Sequence, residues 1–122
     1  MEKKYFPDRN HIIWLDFEPT KGIEIGKYRP ALVLSIKEYN KVTGLLICSP
    51  ISTSIRGHLT EVTINNLENP SVVVASIVQT VSWRDRKAKF ISEAEEGIYE
   101  QVLQRIIPLM GIDKFFNFEN NN

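Results

Sequence analysis

The chain has 122 residues, of which 43% are hydrophobic, 25% charged and 10% aromatic, a composition typical of one soluble globular domain. Its 15 Lys and Arg residues balance 15 Asp and Glu residues, which excludes a uniformly basic nucleic-acid coat. The single cysteine, Cys48, excludes an intramolecular disulfide framework, and no apolar run is long enough to cross a bilayer. Because no apolar leader is recognisable at the N-terminus, we expect a cytoplasmic protein.

Short runs of β-branched and aromatic residues, separated by polar turns, predict a series of strands. In chain order they are residues 11–17, 31–36, 45–48, 59–64, 71–77, 78–83 and 88–91. Residues 37–44 have turn chemistry and are predicted as a loop. The pattern predicts a mainly β (α+β) fold, a small antiparallel barrel or curled sheet. With no internal repeat or linker, residues 1–112 are expected to form one domain and residues 113–122 a flexible tail.

The last element differs in kind and is predicted to be a helix. Ser92 and Glu95 have the spacing of a capping box, so the helix is expected to begin there. Apolar residues then recur every three or four positions from Ile98 onward, which gives one buried stripe. Gly111 is the expected end of the helix.

The polar loop that ends at Arg29 carries the first candidate chemistry. It contains Glu24 and the cations Lys21 and Lys27. A carboxylate and a guanidinium on one loop suit acid–base work and the neutralisation of an oxyanion during phosphodiester cleavage. Arginine suits this role because its planar fork binds phosphate through two hydrogen bonds and stays charged. A merely solvated surface remains the alternative interpretation.

A second polar loop, residues 50–58, combines hydroxyls with two basic side chains. Ser52 and Thr53 can hydrogen-bond phosphate oxygens, although such residues are also ordinary turn formers. Arg56 can pair with phosphate, and His58 can act as an acid or base near neutral pH because its ordinary pKa is ~6.5.

A third cluster, residues 84–89, places four cations directly after Trp83. A basic stretch beside an aromatic ring can bind single-stranded nucleic acid, while an edge strand protected by lysines is the competing account. Cys48 lies in an apolar strand, so a buried, inert thiol is predicted. The chain lacks a phosphate-binding loop and metal-ligand spacing, so no cofactor or metal is predicted.

The order of several motifs along the chain indicates more than the individual loops do. They are Tyr-Phe-Pro-Asp at residues 5–8, the run at residues 13–22, Arg-Pro-Ala-Leu-Val-Leu-Ser at residues 29–35, the pair of turns within residues 39–44, and Trp-Arg at residues 83–84. Together they resemble the MazF/PemK family of toxin endoribonucleases over nearly the whole chain. The resemblance implies an SH3-like small barrel with a C-terminal helix, working as a homodimer.

The resemblance also implies a function. Such proteins are toxins of type II toxin–antitoxin systems that cut single-stranded RNA at short motifs without a metal, by attack of the 2′-hydroxyl on the adjacent phosphate. The implied catalytic residues are Arg29, Ser52 and Glu24. The implied partners are RNA and a MazE-like antitoxin. The predicted RNA-binding residues are Phe17, Thr20, Lys21, Lys27, Tyr28, Thr53, Arg56, His58, Arg84 and Arg86.

One departure from the family pattern leaves an alternative open. The family's Ala-Asp-Gln is replaced here by Ala75-Ser76-Ile77, which removes a charge and an amide that could contact a base. The alternative is a weakened member that binds RNA or an antitoxin without cutting. A more remote one is gyrase poisoning of the CcdB type, which occurs on a related fold.

Overall fold

The computed structural model describes residues 4–17 and 27–111. The strands are β1 (His11–Asp16), β2 (Tyr28–Val33), β3 (Leu45–Ser52), β4 (Glu61–Ile64), β5 (Ser71–Val74), β6 (Gln79–Ser82) and β7 (Lys89–Glu93). The helices are α1 (Lys37–Thr43) and α2 (Ile98–Met110). Neither of these two helices has the length and apolarity needed to cross a membrane. The predicted tail at residues 113–122 lies outside the described residues.

The strands form one antiparallel sheet in the order β4-β5-β3-β2-β1-β7, with β6 also paired to β3. Strand β3 is shared between three neighbours: it pairs with β6 at its start, with β2 in its middle and with β5 at its end. A strand that changes partners along its length bends the sheet, so the sheet curls around its own interior. The predicted antiparallel, curled β fold with a C-terminal helix is therefore confirmed.

Two groups of buried apolar side chains hold the curled sheet together. Helix α2 places Ile98, Val102 and Ile106 into one of them, against residues of β1 to β5, and burying each such side chain stabilises the fold by about 1.5–3 kcal/mol. The other group includes Cys48 and side chains from β1, β2 and β6. Helix α2 ends at Gly111 as predicted, since this residue has φ 68°, a conformation that glycine adopts without strain.

The predicted capping box is wrong. Ser92 belongs to β7, and its hydroxyl accepts a hydrogen bond from the Asn66 amide at 3.3 Å. The Glu95 carboxylate accepts the backbone N–H of Asn65 at 3.1 Å. Helix α2 begins instead after Gly97, which has φ 91°. The turn after β4 thus takes the two polar side chains that local spacing assigned to a helix end.

Residues 37–43 form helix α1, so the prediction of a loop at 37–44 is also wrong. Asn40, a fully buried residue of this helix, anchors it to distant parts of the chain. The Asn40 amide donates to the Pro7 carbonyl at 2.9 Å, and its backbone carbonyl accepts the Trp83 indole N–H at 2.9 Å. Gly44 ends the helix at φ 74°. These partners are 33 and 43 residues from Asn40, which is why no local pattern indicated the helix.

Candidate active site

The middle of the sheet brings Arg29 and Ser52 together. Strands β2 and β3 are antiparallel and pair Ala31 with Pro50. Arg29 lies two residues before Ala31 in β2, and Ser52 lies two residues after Pro50 in β3. The β2–β3 pairing ends at Ala31 and Pro50, so Arg29 and Ser52 lie just beyond the same end of it, where a long arginine side chain can reach a ligand that the hydroxyl contacts.

Both side chains line one cleft with a volume of about 660 Å³. The segment after β3 supplies a second wall, with Arg56 and His58. The cleft thus combines two guanidinium groups, an imidazole and several hydroxyls, which is a lining suited to a polyanion. The complete lining is Arg29, Ser52, Ser54, Arg56, His58, Thr60, Glu61, Val74, Ser76 and Ile77.

Arg29 is half-buried and Ser52 is buried, although both side chains are polar. Burial lowers the pKa of the Arg29 guanidinium, although an arginine stays charged at any physiological pH. The Ser52 side chain is only 8% exposed, and its oxygen accepts the backbone N–H of Ser54 at 3.0 Å. A hydroxyl can accept one hydrogen bond and donate another. Ser52 is therefore oriented by its own loop and can still donate to a ligand in the cleft.

The loop that carries Arg56 and His58 is fixed by a carboxylate. Glu61 accepts the backbone N–H of Gly57 at 2.9 Å and that of Arg56 at 3.2 and 3.3 Å. The backbone N–H of Glu61 donates in turn to the His58 carbonyl at 3.0 Å. Gly57 has φ 77°, which lets the chain wrap around the carboxylate. Glu61 thereby holds the basic wall of the cleft in place.

Three predicted RNA-binding residues do not line the cleft. Thr53 follows Ser52 but lines a separate, smaller pocket. Tyr28 is 46% exposed, stacks on the Trp14 ring, and donates its hydroxyl to the Lys87 carbonyl at 3.1 Å. Lys27 is exposed, with φ 75°, and its carbonyl accepts the Phe17 N–H.

The arginines of the basic cluster after Trp83 do not contribute to the cleft. Trp83 is 8% exposed, so its ring is not open for stacking with a base. Arg84 lies over that ring at 5.0 Å and donates to the Lys41 carbonyl at 3.4 Å. Arg86 donates to the Asp16 carbonyl at 3.0 Å and so ties the cluster to β1. Neither arginine lines the cleft.

Phe17 and three residues that follow it in the chain complete the predicted set. Phe17 is 3% exposed and belongs to the apolar core, so it supports the sheet and does not present a binding surface. Thr20, Lys21 and Glu24 lie outside the described residues. Cys48 is buried as predicted, and burial raises the pKa of its thiol to about 12.

Comparison with known proteins decides the family. Residues 8–110 match the model of a family described as the PemK-like, MazF-like toxin of type II toxin–antitoxin systems. The chain belongs to this family. It is 42% identical over 88 residues to the endoribonuclease toxin MazF of Escherichia coli K12, which covers 72% of this chain and 79% of that protein.

Solved structures agree with this assignment. The chain is similar to the crystal structure of MazF from Deinococcus radiodurans, with a TM-score of 0.85 and 38% identity over 88% of this chain and 99% of that one. It is also similar to a MazE-MazF crystal structure from the same organism, with a TM-score of 0.77 and 35% identity over 88% and 98% of the two chains. The predicted membership of the MazF/PemK family is confirmed.

The family pattern differs from this chain at two residues of the cleft. Ser76 and Ile77, which replace the family's Asp-Gln, both line the cleft, so the departure falls at the candidate site itself. No local pattern marked Thr60, Glu61 and Val74 as candidate site residues. Glu61 and Val74 have the pattern of ordinary strand residues, and Thr60 directly precedes β4. The pairing of β3 with β5 and of β5 with β4 brings all three to the cleft with Arg29.

Proposed function

We propose that the cleft of this endoribonuclease toxin binds single-stranded RNA and cuts it at short sequence motifs without a metal. The single observation that carries the proposal is that Arg29 and Ser52, on different strands, line the same basic cleft. A scissile phosphate between them meets a permanent positive charge and a hydroxyl donor. Both interactions strengthen as negative charge develops on the phosphate oxygens, which is the condition for transition-state stabilisation.

The bond that forms and the bond that breaks in the proposed reaction both lie within the substrate, so no water molecule is consumed. The 2′-oxygen attacks the adjacent phosphorus and loses its proton, the bond from phosphorus to the 5′-oxygen breaks, and that oxygen takes up a proton. The products are a 2′,3′-cyclic phosphate and a 5′-hydroxyl. Arg29 stabilises the charged phosphorane, and Ser52 donates to one of its oxygens.

The two proton transfers require a base and an acid. Glu24, outside the described residues, is the carboxylate that we propose for one of these steps or for orienting the substrate. His58 lines the cleft, and its imidazole is a second group that can accept or donate a proton. Arg56 is proposed to bind a phosphate beside the scissile one.

The proposal extends to partners and to compartment. A solved relative is a MazE-MazF structure, and we propose that an antitoxin with acidic side chains covers this cleft and competes with RNA for Arg29 and Arg56. We also propose a homodimer, residues 1–112 as the functional domain, and the cytoplasm as the compartment. The family match over residues 8–110 supports the domain.

A cleavage assay tests the proposal. Purified protein is incubated with a mixed-sequence single-stranded RNA in the presence of EDTA, and fragment ends are mapped. We expect cuts at a restricted set of sequences that leave cyclic phosphates. Arg29→Ala and Ser52→Ala should each lower the rate by about 10²–10³-fold, the usual cost of one donor to a developing oxyanion, while Ser52→Thr should retain activity.

Arg9→Ala is the matched control because Arg9 is an exposed arginine that lies over Tyr99, away from the cleft. It should cleave at the wild-type rate. Absence of cleavage by wild-type protein, or equal cleavage by Arg29→Ala and wild type, overturns the proposal. RNA binding without cleavage would assign the chain to the non-cutting alternative.

A further inference from the structure

The cleft has an apolar side that the proposed chemistry does not use. Val74 and Ile77 line the cleft together with Arg29 and Ser52, and both aliphatic side chains are partly buried. Neither aliphatic side chain can form a hydrogen bond, so neither can hold a phosphate. An apolar surface inside a polyanion site is suited to the uncharged part of the ligand.

The strand pairings place this apolar side beside Ser52. Strand β3 lies between β2 and β5, and Ser52 of β3 pairs with Val72 of β5. Residues two apart in a strand point to the same face of the sheet, so Val74 lies on the face that carries Ser52. By the same rule, the pairing of β2 with β3 puts Arg29 on that face. Ser52 thus has a guanidinium on one side and an apolar surface on the other.

A tight turn after β5 holds Ile77 next to Val74. The Ile77 backbone N–H donates to the Val74 carbonyl at 3.1 Å, which closes a four-residue turn. Ala75 is fully buried, its N–H donates to the Thr60 carbonyl at 3.0 Å, and its carbonyl accepts the Ser49 hydroxyl at 3.3 Å. The apolar surface is therefore fixed before a ligand binds, which reduces the entropy lost on binding.

The basic loop lies on the far side of this apolar surface. Val74 pairs with Glu61 of β4, and the Glu61 carboxylate accepts the backbone N–H of Arg56. The apolar surface therefore separates Arg29 from the loop that carries Arg56. An RNA strand whose neighbouring phosphates meet these two arginines has one base between them.

We propose that Val74 and Ile77 bind one base of the RNA next to the scissile phosphate by apolar contact and without reading its identity, an inference that rests on the function proposed above. Single-stranded RNA presents unstacked bases, which proteins ordinarily identify by hydrogen bonds to the base edges. Ile77 offers no such partner, and the hydroxyl of the exposed Ser76 can both donate and accept, so it suits every base. The chain should therefore tolerate all four bases where the family pattern has a carboxylate and an amide.

The test compares intact RNA with RNA that lacks single bases. Oligonucleotides with one cleavage site carry each of the four bases, or an abasic nucleotide, at every position around the cut, and kcat/KM is measured. For wild type, one abasic position should lower kcat/KM by about 4- to 15-fold, because burying one or two CH₂ groups is worth ~0.8 kcal/mol each and 1.4 kcal/mol is tenfold. The four bases at that position should differ by less than about threefold, since a serine hydroxyl suits donors and acceptors alike.

Ile77→Ser removes the apolar contact at this position. With this variant, the intact oligonucleotide should be cut as slowly as the abasic one, so the penalty for the missing base disappears. A general loss of stability would slow both substrates alike. Val42→Ser is the matched control because Val42 is an aliphatic residue of α1 that is 83% exposed and does not line the cleft. It should leave the penalty unchanged.

Ile77→Gln adds a side-chain amide at the same place. A glutamine amide pairs with adenine through two hydrogen bonds, so this variant should prefer adenine to the other bases at that one position. The preference should be about 5- to 140-fold, because such a pair is worth ~1–3 kcal/mol of discrimination. A new preference at a position that had none is a result that destabilisation does not produce.

The outcomes separate this inference from the proposed function. If wild type cuts RNA but Ile77→Ser slows intact and abasic substrates equally, the apolar contact with a base is wrong and the endoribonuclease mechanism stands. If Ile77→Ser changes the oligomeric state measured by light scattering and keeps the abasic penalty, the surface is a subunit contact and the inference is overturned. If wild type cuts no RNA, the proposed function fails, and the same comparison of affinities for intact and abasic RNA decides the inference.

Discussion

Removal of the Glu61 carboxylate tests whether this group holds the loop with Arg56 and His58 in place at the cleft. Glu61 accepts the backbone N–H groups of Arg56 and Gly57 at 2.9 to 3.3 Å. Hydrogen bonds to a charged group contribute ~1.5–3 kcal/mol each when buried. Because this loop is exposed, the hydrogen bonds from these two N–H groups should together contribute about 1–2 kcal/mol.

That free energy predicts a local effect. In Glu61→Ala, the loop should open about 5- to 30-fold more often, since 1.4 kcal/mol corresponds to a factor of ten. Amide hydrogen exchange measured by NMR should therefore accelerate by this factor at Arg56 and Gly57 and remain unchanged in the core strands. RNA cleavage should show a raised KM, because Arg56 and His58 lose their fixed position, with a smaller change in kcat.

Glu61→Gln retains a carbonyl oxygen that can accept one N–H, so it should recover part of the protection. Glu38→Ala removes an exposed carboxylate of α1, away from the cleft lining, and serves as the control. Unchanged exchange at Arg56 and Gly57 in Glu61→Ala would refute the argument. So would a raised KM in the Glu38 control.

Three other predictions concern stability and reactivity. Asn40→Ala should lower the free energy of unfolding in urea by about 3 kcal/mol, because the buried carbonyl of Pro7 and the partly buried carbonyl of Ser35 lose their donor at ~1–3 kcal/mol each; a loss under 1 kcal/mol would contradict this. Burial lowers the pKa of His11, so the folded state resists a proton that the unfolded chain accepts near pH ~6.5. Stability should therefore be complete above that pH and fall as the pH drops below it, as measured by urea midpoints, and His11→Gln should flatten this dependence. Finally, burial raises the pKa of the Cys48 thiol to about 12, so iodoacetamide at pH 8 should label Cys48 in urea and leave it unlabelled in the native protein.

The elements that the sequence predicted well are those whose signal is local. The first half of the apolar run at residues 31–36 forms the end of β2, the stripe that begins at Ile98 lies on α2, and Gly111 ends that helix. In each case, burial or backbone conformation is determined by residues within a few positions. The capping box at Ser92 failed because its side chains are taken by a turn some 26 to 30 residues away.

The candidate site divides in the same way. The sequence by itself determined the chemistry available, since Arg29, Ser52, Arg56 and His58 were recognisable from residue type and from motif order. Only the tertiary structure decided which of them meet: the pairing of β2 with β3 brings Arg29 and Ser52 to one cleft, whereas Arg86, in the turn after β6, donates to the Asp16 carbonyl instead. The physical reason is that a side chain's type is a property of one residue. Its neighbours across a sheet are set by strand pairing between distant segments, which no local pattern encodes.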